Sequence, residues 1–200
     1  MSDISAKDVK ALRDQTGAGM MDCKRALVEA GGDMDAALEL LKVQLGNKLQ
    51  KLAGREANEG TVQSYIHATG KVGALVQVDC NTDFVARNED FVGFARDVAM
   101  HVAASPQTRY VSEEEIDEDA RQAELRVFEQ QAANKPENVR PKIAEGKLRK
   151  WMEETVLLKQ PHVNGDKYDG KTIEEIRAGL SRQTGENIVV RRFTRFAVGE

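Results

Sequence analysis

The hydrophobic pattern of this chain changes period twice, and that limits its possible folds more than any other feature. Up to Leu45 the apolar residues keep helical spacing: Met34, Ala37, Leu38, Leu41 and Leu45 fall at i, i+3, i+4, i+7 and i+11. From Val62 to Cys80 the period is two. Val62, Ser64 and Ile66 alternate with Gln63, Tyr65 and His67. After Ala68-Thr69-Gly70 a second set, Val72, Ala74, Val76, Val78 and Cys80, alternates in turn. Two alternating runs around a glycine-containing turn predict a β-hairpin. Helical spacing returns with Phe91, Phe94, Ala95, Val98 and Val102, and an Ile-, Val- and Phe-rich stretch at 187–198 predicts a third strand. The expected class is therefore α+β, with an N-terminal three-helix module followed by a small antiparallel sheet covered by helices.

Local signals place the helix ends. Ser5 is a good N-cap for a first helix over 6–15, and Thr16-Gly17 ends it. Asp22 or the Gly19-Met20 turn opens a second helix, which stops at Gly31-Gly32, and Asp33 caps the third. Residues 46–60, rich in glycine and charge, read as a partly helical linker with a boundary near residue 54. The division is then 1–53, a three-helix module with its linker, and 54–200, an α+β core. Ser112 to Glu115 has the spacing of a capping box that opens a helix, with acidic residues at its positive end. Pro136 and Pro141 punctuate a turn. A helix through Leu148, Trp151, Met152, Thr155 and Val156 runs until Pro161, and Thr172-x-x-Glu175 is a second box for a helix ending near Gly185.

Composition narrows the function. With 200 residues, 40% hydrophobic and 31% charged, the chain can bury a core without metal or disulfide. A net charge of −4 argues against nucleic acid or anionic membrane as a direct partner. No apolar run reaches membrane-spanning length. The start, MSDISAKDVK, has the character of neither a signal nor a transit peptide, and Cys23 and Cys80 form no motif, so a cytoplasmic location is expected. No glycine-rich phosphate loop is present. His67, His101 and His162 stand isolated in sequence without metal-ligand spacing, so no metal site, no cofactor and no catalytic residue is expected. Asp83 and Glu89 have no reason to converge as a carboxylate pair. On the last strand, alternation puts Arg191, Phe193 and Arg195 on one face and Arg192 on the other, the charges read as guarding an edge strand in preference to contacting RNA, given the acidic whole. A binding protein fits better than an enzyme.

The run from Cys80 to Phe91 offers two helix starts: Asn81 or Thr82 for a short turn, and Asn88 for the longer helix. By spacing alone Phe84, seven residues before Phe91, reads as core, and Asp83 as a first-turn acid favoured by the helix dipole. The sequence TDFVARN at 82–88 resembles the signature of the elongation factor Ts family. So does the stretch from Val9 through TGAGMMDCKRAL at 16–27, which is similar to the family's ubiquitin-associated-like N-terminal module. Glu145-Gly146-Lys147-Leu148 and Gly185-Glu186-Asn187-Ile188 also look like family landmarks.

That resemblance implies guanine-nucleotide exchange on the GTPase elongation factor Tu. Thr82, Asp83, Phe84 and Val85 would enter the GTPase domain beside its Mg²⁺ and dislodge that ion. Lys10, Arg13, Met20 and Met21 would form a second contact. By spacing, Met20 also fits the inward stripe of Cys23 and Leu27, so both methionines are read equally as packed inside the module. The length leaves room for one core subdomain, as in short members of the family, and implies a homodimer joined through the strands at 62–80. The competing reading is a ubiquitin-associated-like docking protein with a dimerisation core and a different partner.

Overall fold

A computed structural model describes residues 4–200, so the first three residues of the start lie outside the description. Three helices come first: α1 (Ala6–Thr16), α2 (Met20–Glu29) and α3 (Met34–Ala53). The Ser5 hydroxyl accepts the Asp8 N–H at 3.1 Å. Gly17 takes φ 65°, the left-handed conformation that glycine adopts without a Cβ clash, and closes α1 through its N–H to the Arg13 carbonyl. Gly19 precedes α2, which settles its start in favour of the Gly19-Met20 turn. The Asp33 carboxylate caps α3 on the N–H groups of Asp35 and Ala36. Val9, Leu12, Cys23, Ala26, Leu27, Ala37 and Leu41 are buried between the three helices, with Met34, Leu38 and Leu45 packed against them.

Gly46 does not interrupt α3. One exposed glycine costs about 1 kcal/mol of helix propensity, and the apolar stripe continues past it to the buried Leu52. The helix ends at Ala53, and residues 54–58 lead into the sheet.

The sheet has order β1-β2-β3, all antiparallel, built from β1 (Glu59–Ile66), β2 (Val72–Cys80) and β3 (Val189–Ala197). Two helices follow β2: the single turn α4 (Asp83–Ala86) and the longer α5 (Glu89–Ala104). One sheet face carries Ala74, Val76, Val78 and Cys80. They share a buried cluster with Phe91, Phe94, Ala95, Val98 and Val102 of α5, and with Leu157, Ile173, Leu180 and Ile188. Among the described residues nothing packs over the apolar side chains of the other face, and the inward side of β1 is the polar one. Gln63 and Tyr65 are half-buried, whereas Val62 and Ile66 stand exposed beside Leu75 and Phe196.

The remaining helices are α6 (Glu118–Gln131), α7 (Arg140–Thr155), α8 (Gly165–Tyr168) and α9 (Ile173–Thr184). α6 and α7 meet through Leu125, Phe128, Leu148, Trp151 and Met152. The architecture is α+β, a small antiparallel sheet with helices on one face behind three N-terminal helices.

Three local expectations need correction. Glu115 does not close a capping box with Ser112. Its carboxylate accepts the Val111 N–H at 2.7 Å, leaving a single 3-10 turn at Glu113–Glu115, and Asp117 caps α6 instead. Pro141 lies inside the first turn of α7, where its missing N–H has no partner to lose. A β-bulge between Gln77 and Val78 leaves Arg191 unopposed in β3. The extra residue resets the alternation, so Arg191 and Arg192 reach Asp79 (2.6 Å) and Gln77 (2.9 Å), and Phe193 packs on the helix side. The second capping box holds as read, with Thr172 and Glu175 bonded reciprocally at the start of α9.

Candidate partner-binding site

The chain leaves β2 at Cys80 and makes one tight helical turn before α5 begins. Thr82 is the N-cap of that turn, its hydroxyl accepting the Val85 N–H at 3.4 Å. Asn88 caps α5 on the N–H groups of Asp90 (2.8 Å) and Phe91 (3.3 Å). Two caps six residues apart force a break between the helices, and the break decides where the aromatics go.

Phe91 is fully buried, whereas Phe84 is 83% exposed. The spacing that makes Phe84 a core residue assumes one continuous helix, and a 3.6-residue period does not carry across a break. Val85 and Ala86 pack against the sheet core and anchor the turn, with Phe84 turned away from them toward solvent. The half-buried Asp83 carboxylate pairs with the exposed Arg87 guanidinium at 3.2 Å rather than with Glu89.

The turn is also held from the far end of the chain. Gly185 ends α9 with φ 73°, and the next residue, Glu186, points its carboxylate at the start of α4. Oε2 accepts the backbone N–H groups of Asn81 (3.0 Å) and Thr82 (3.1 Å), and Oε1 accepts the Thr82 hydroxyl at 2.6 Å. Asn81 is therefore not the cap. Its amide nitrogen donates to the Glu56 carbonyl, and its amide oxygen accepts the Asn187 N–H at 2.8 Å. The Asn187 side chain donates to the carbonyls of Ala53 and Arg55, and Arg55 donates to the Gly185 carbonyl at 3.2 Å. Sequence reasoning noted Gly185 to Ile188 only as a landmark. No local signal could show that Glu186 sits under Thr82, 104 residues earlier.

In the N-terminal helices, Lys10 and Arg13 are exposed on α1. Met20 and Met21, in the first turn of α2, are 54% and 69% exposed. The helical stripe through Cys23 and Leu27 does not draw Met20 inside.

The histidines are less isolated than their spacing implies. His101 and His162 are buried with ring centroids 5.5 Å apart. The Nδ1 of His101 accepts the Val163 N–H and its Nε2 donates to Gln160 Oε1. The Nδ1 of His162 accepts the Asn164 N–H and its Nε2 donates to the Asp97 carbonyl. These bonds assign each ring the tautomer with its proton on Nε2, and burial depresses the His101 pKa. Among the described residues no group of three metal-ligating side chains comes together. Cys23 and Cys80 are free, buried thiols. Burial, then the Glu186 charge, pushes Cys80 up to about 11, far from a reactive thiolate. Among the described residues no helix is long and apolar enough to cross a membrane.

The family model for elongation factor Ts matches residues 4–169. An elongation factor Ts of Trichodesmium erythraeum is 46% identical over 202 aligned positions, covering all of this chain and 91% of that protein. One of Desulforamulus reducens is also 46% identical, with the same coverage. One of Caldanaerobacter subterraneus subsp. tengcongensis is 44% identical over 98% of both chains. A family match spanning most of the chain, with relatives this close over nearly their whole lengths, makes it a member of the elongation factor Ts family of translation elongation factors.

Proposed function

We propose that this chain is a guanine-nucleotide exchange factor for elongation factor Tu. It binds the GDP-loaded GTPase in the cytoplasm, displaces Mg²⁺ and promotes GDP release so that GTP reloads. The observation that carries the reading is Phe84, an aromatic side chain 83% exposed on a separately capped turn. A folded protein gains nothing from showing that ring to water. A partner cleft gains a stiff wedge with large apolar area and little rotamer entropy to lose. Thr82, Asp83 and Val85 form the same turn, and Lys10, Arg13, Met20 and Met21 supply the second contact, the methionines as adaptable apolar side chains.

The mechanism is linkage rather than catalysis, and no bond is made or broken by this chain. Mg²⁺ needs near-ideal octahedral geometry and ties the nucleotide phosphates to the GTPase, so a small displacement beside it loosens the nucleotide. If the factor prefers the nucleotide-free GTPase by some ratio, GDP binds the complex more weakly by that same ratio. Each ~1.4 kcal/mol of coupling is tenfold.

In this reading residues 1–53 are a ubiquitin-associated-like docking module with its linker, and 54–200 a core domain that dimerises. The uncovered sheet face, with Val62, Ile66, Leu75 and Phe196 exposed, suits a second copy. The test is release of a fluorescent GDP from elongation factor Tu into excess GDP, with and without catalytic amounts of this chain. Strong acceleration is expected. An unchanged rate, with binding to elongation factor Tu intact, overturns the exchange reading in favour of a docking protein.

A further inference from the structure

Residue Glu186 is only partly buried, yet the side-chain hydrogen bonds that set the entry and cap of the turn carrying Phe84 converge on it. α4 has four residues and closes two i→i−4 backbone bonds, Ala86 N–H to Thr82 and Arg87 N–H to Asp83, with one 3-10-type bond from Asn88 N–H to Val85. A helix this short has too few bonds to offset its nucleation cost and cannot hold its own shape. Its cap, the Thr82 hydroxyl, must have a lone pair free for the Val85 N–H. That requires the hydroxyl proton to point elsewhere, and it points to Glu186 Oε1. The other carboxylate oxygen takes the N–H groups of Asn81 and Thr82, the two residues that turn the chain out of β2. One charged side chain thus sets both the entry of the turn and the polarity of its cap, through charge-assisted bonds stronger than neutral ones. Its own place is set by the left-handed Gly185 at the end of α9, and the flanking Asn187 bonds Asn81 and the exit of α3.

We infer that Glu186 is a positioning residue for nucleotide exchange, one that presents Phe84 in a fixed orientation and acts on the partner only through that ring. The inference rests on the exchange reading proposed above. Thr82 is exposed and Asn81 half-buried, so water can satisfy their donors when the carboxylate is removed. The fold then survives while the turn loses its single orientation.

The experiment compares wild type, Glu186→Ala, Glu186→Gln, Phe84→Ala and the Glu186→Ala/Phe84→Ala double variant. The rate of fluorescent GDP release from elongation factor Tu is titrated to saturation with each. Glu186→Ala is expected to lower the maximal rate roughly 10- to 150-fold, the worth of a hydrogen bond to a charged group. The half-saturating concentration should move far less, because the N-terminal contact is untouched. The double variant should be no slower than Phe84→Ala alone, since a residue acting only through Phe84 has nothing left to position. Glu186→Gln keeps the side chain's shape and should recover part of the rate. In ¹⁵N spectra the Asn81 and Thr82 amide protons should move upfield as the charge leaves, with the other amides nearly unchanged.

Acceleration by wild type that Glu186→Ala and Glu186→Gln leave intact overturns the positioning role and spares the exchange reading. A double variant slower than Phe84→Ala by the full Glu186 factor overturns action through Phe84. If wild type itself fails to accelerate release, the exchange reading falls, and this inference with it.

Discussion

Phe84 and Phe91 are the same residue type seven positions apart, and their substitution by alanine should separate cleanly in a stability measurement. Phe91 is fully buried between α5 and the sheet. Its truncation removes the transfer energy of the ring and leaves a cavity, a combined cost of about 3–5 kcal/mol. In a chain of this size that lowers Tm by roughly 6–20 °C. Phe84 keeps 83% of its surface in water. About a sixth of a ring burying ~200 Å² when fully covered is worth roughly 0.8 kcal/mol at ~25 cal/mol/Å². Alanine returns about half a kcal/mol through its better helix propensity. The net change for Phe84→Ala is therefore within ~0.5 kcal/mol of zero. Urea titrations followed by far-UV circular dichroism, at a protein concentration that fixes any dimer, measure both. A loss above ~1.5 kcal/mol for Phe84→Ala would mean the ring is packed in solution, and the exposed-wedge reasoning would fail.

Other parts of the structure give equally direct tests. Gly60 faces Asp79 in the β1–β2 pair, and a Cβ there would lie 2.3 Å from the Val78 carbonyl oxygen. Gly60→Ala should thus force the backbones apart and cost about 1–3 kcal/mol by the same urea titration. The His101 pKa is depressed by burial, so its neutral form stabilises the fold fully above pH ~6.5, and that contribution is lost as pH falls toward the lower folded value. Stability should fall with a slope of up to ~1.4 kcal/mol per pH unit as the pH is lowered below ~6.5, and His101→Gln should remove this component, leaving the slope of the other groups. On the uncovered sheet face, Ile66→Glu with Phe196→Glu should convert a dimer to monomer in sedimentation velocity while leaving the circular dichroism unchanged, since both side chains are exposed.

How much of this was legible in the sequence follows from the range of each interaction. Ser5, Asp33, Thr172 and Asn88 cap helices through bonds that span three residues or fewer, and all four can be read from residue type and position. The alternating apolar runs located the hairpin for the same reason. Reading failed where a competing group, nearby or distant, took the place of the expected partner. Glu115 has the right spacing for a box, but the Val111 N–H takes its carboxylate. The alternation in β3 is correct on either side of Arg191, but the bulged residue, set by pairing with β2, puts Arg191 on the face of Arg192 rather than that of Phe193 and Arg195. His101 and His162, 61 residues apart in sequence, meet only because the segment after α7 folds back on α5.

The site shows both cases within a few residues. Its two caps are local and were legible, and they explain why Phe84 escapes the core that its spacing assigns it. The clamp beneath it is not local. Asn81, Glu186 and Asn187 have ordinary exposed-residue chemistry taken singly. Only the topology, which brings the end of α9 beside the end of β2, makes them a unit.

Whether Phe84 drives nucleotide release is decided by a single titration. Fluorescent GDP release from elongation factor Tu is followed at increasing concentrations of wild type and Phe84→Ala, with both proteins shown to be equally folded. The account predicts that Phe84→Ala loses most of the maximal rate, at least tenfold for ~1.4 kcal/mol of lost coupling, while still binding elongation factor Tu. A Phe84→Ala protein that reaches the wild-type maximal rate would contradict the account and place the exchange surface elsewhere.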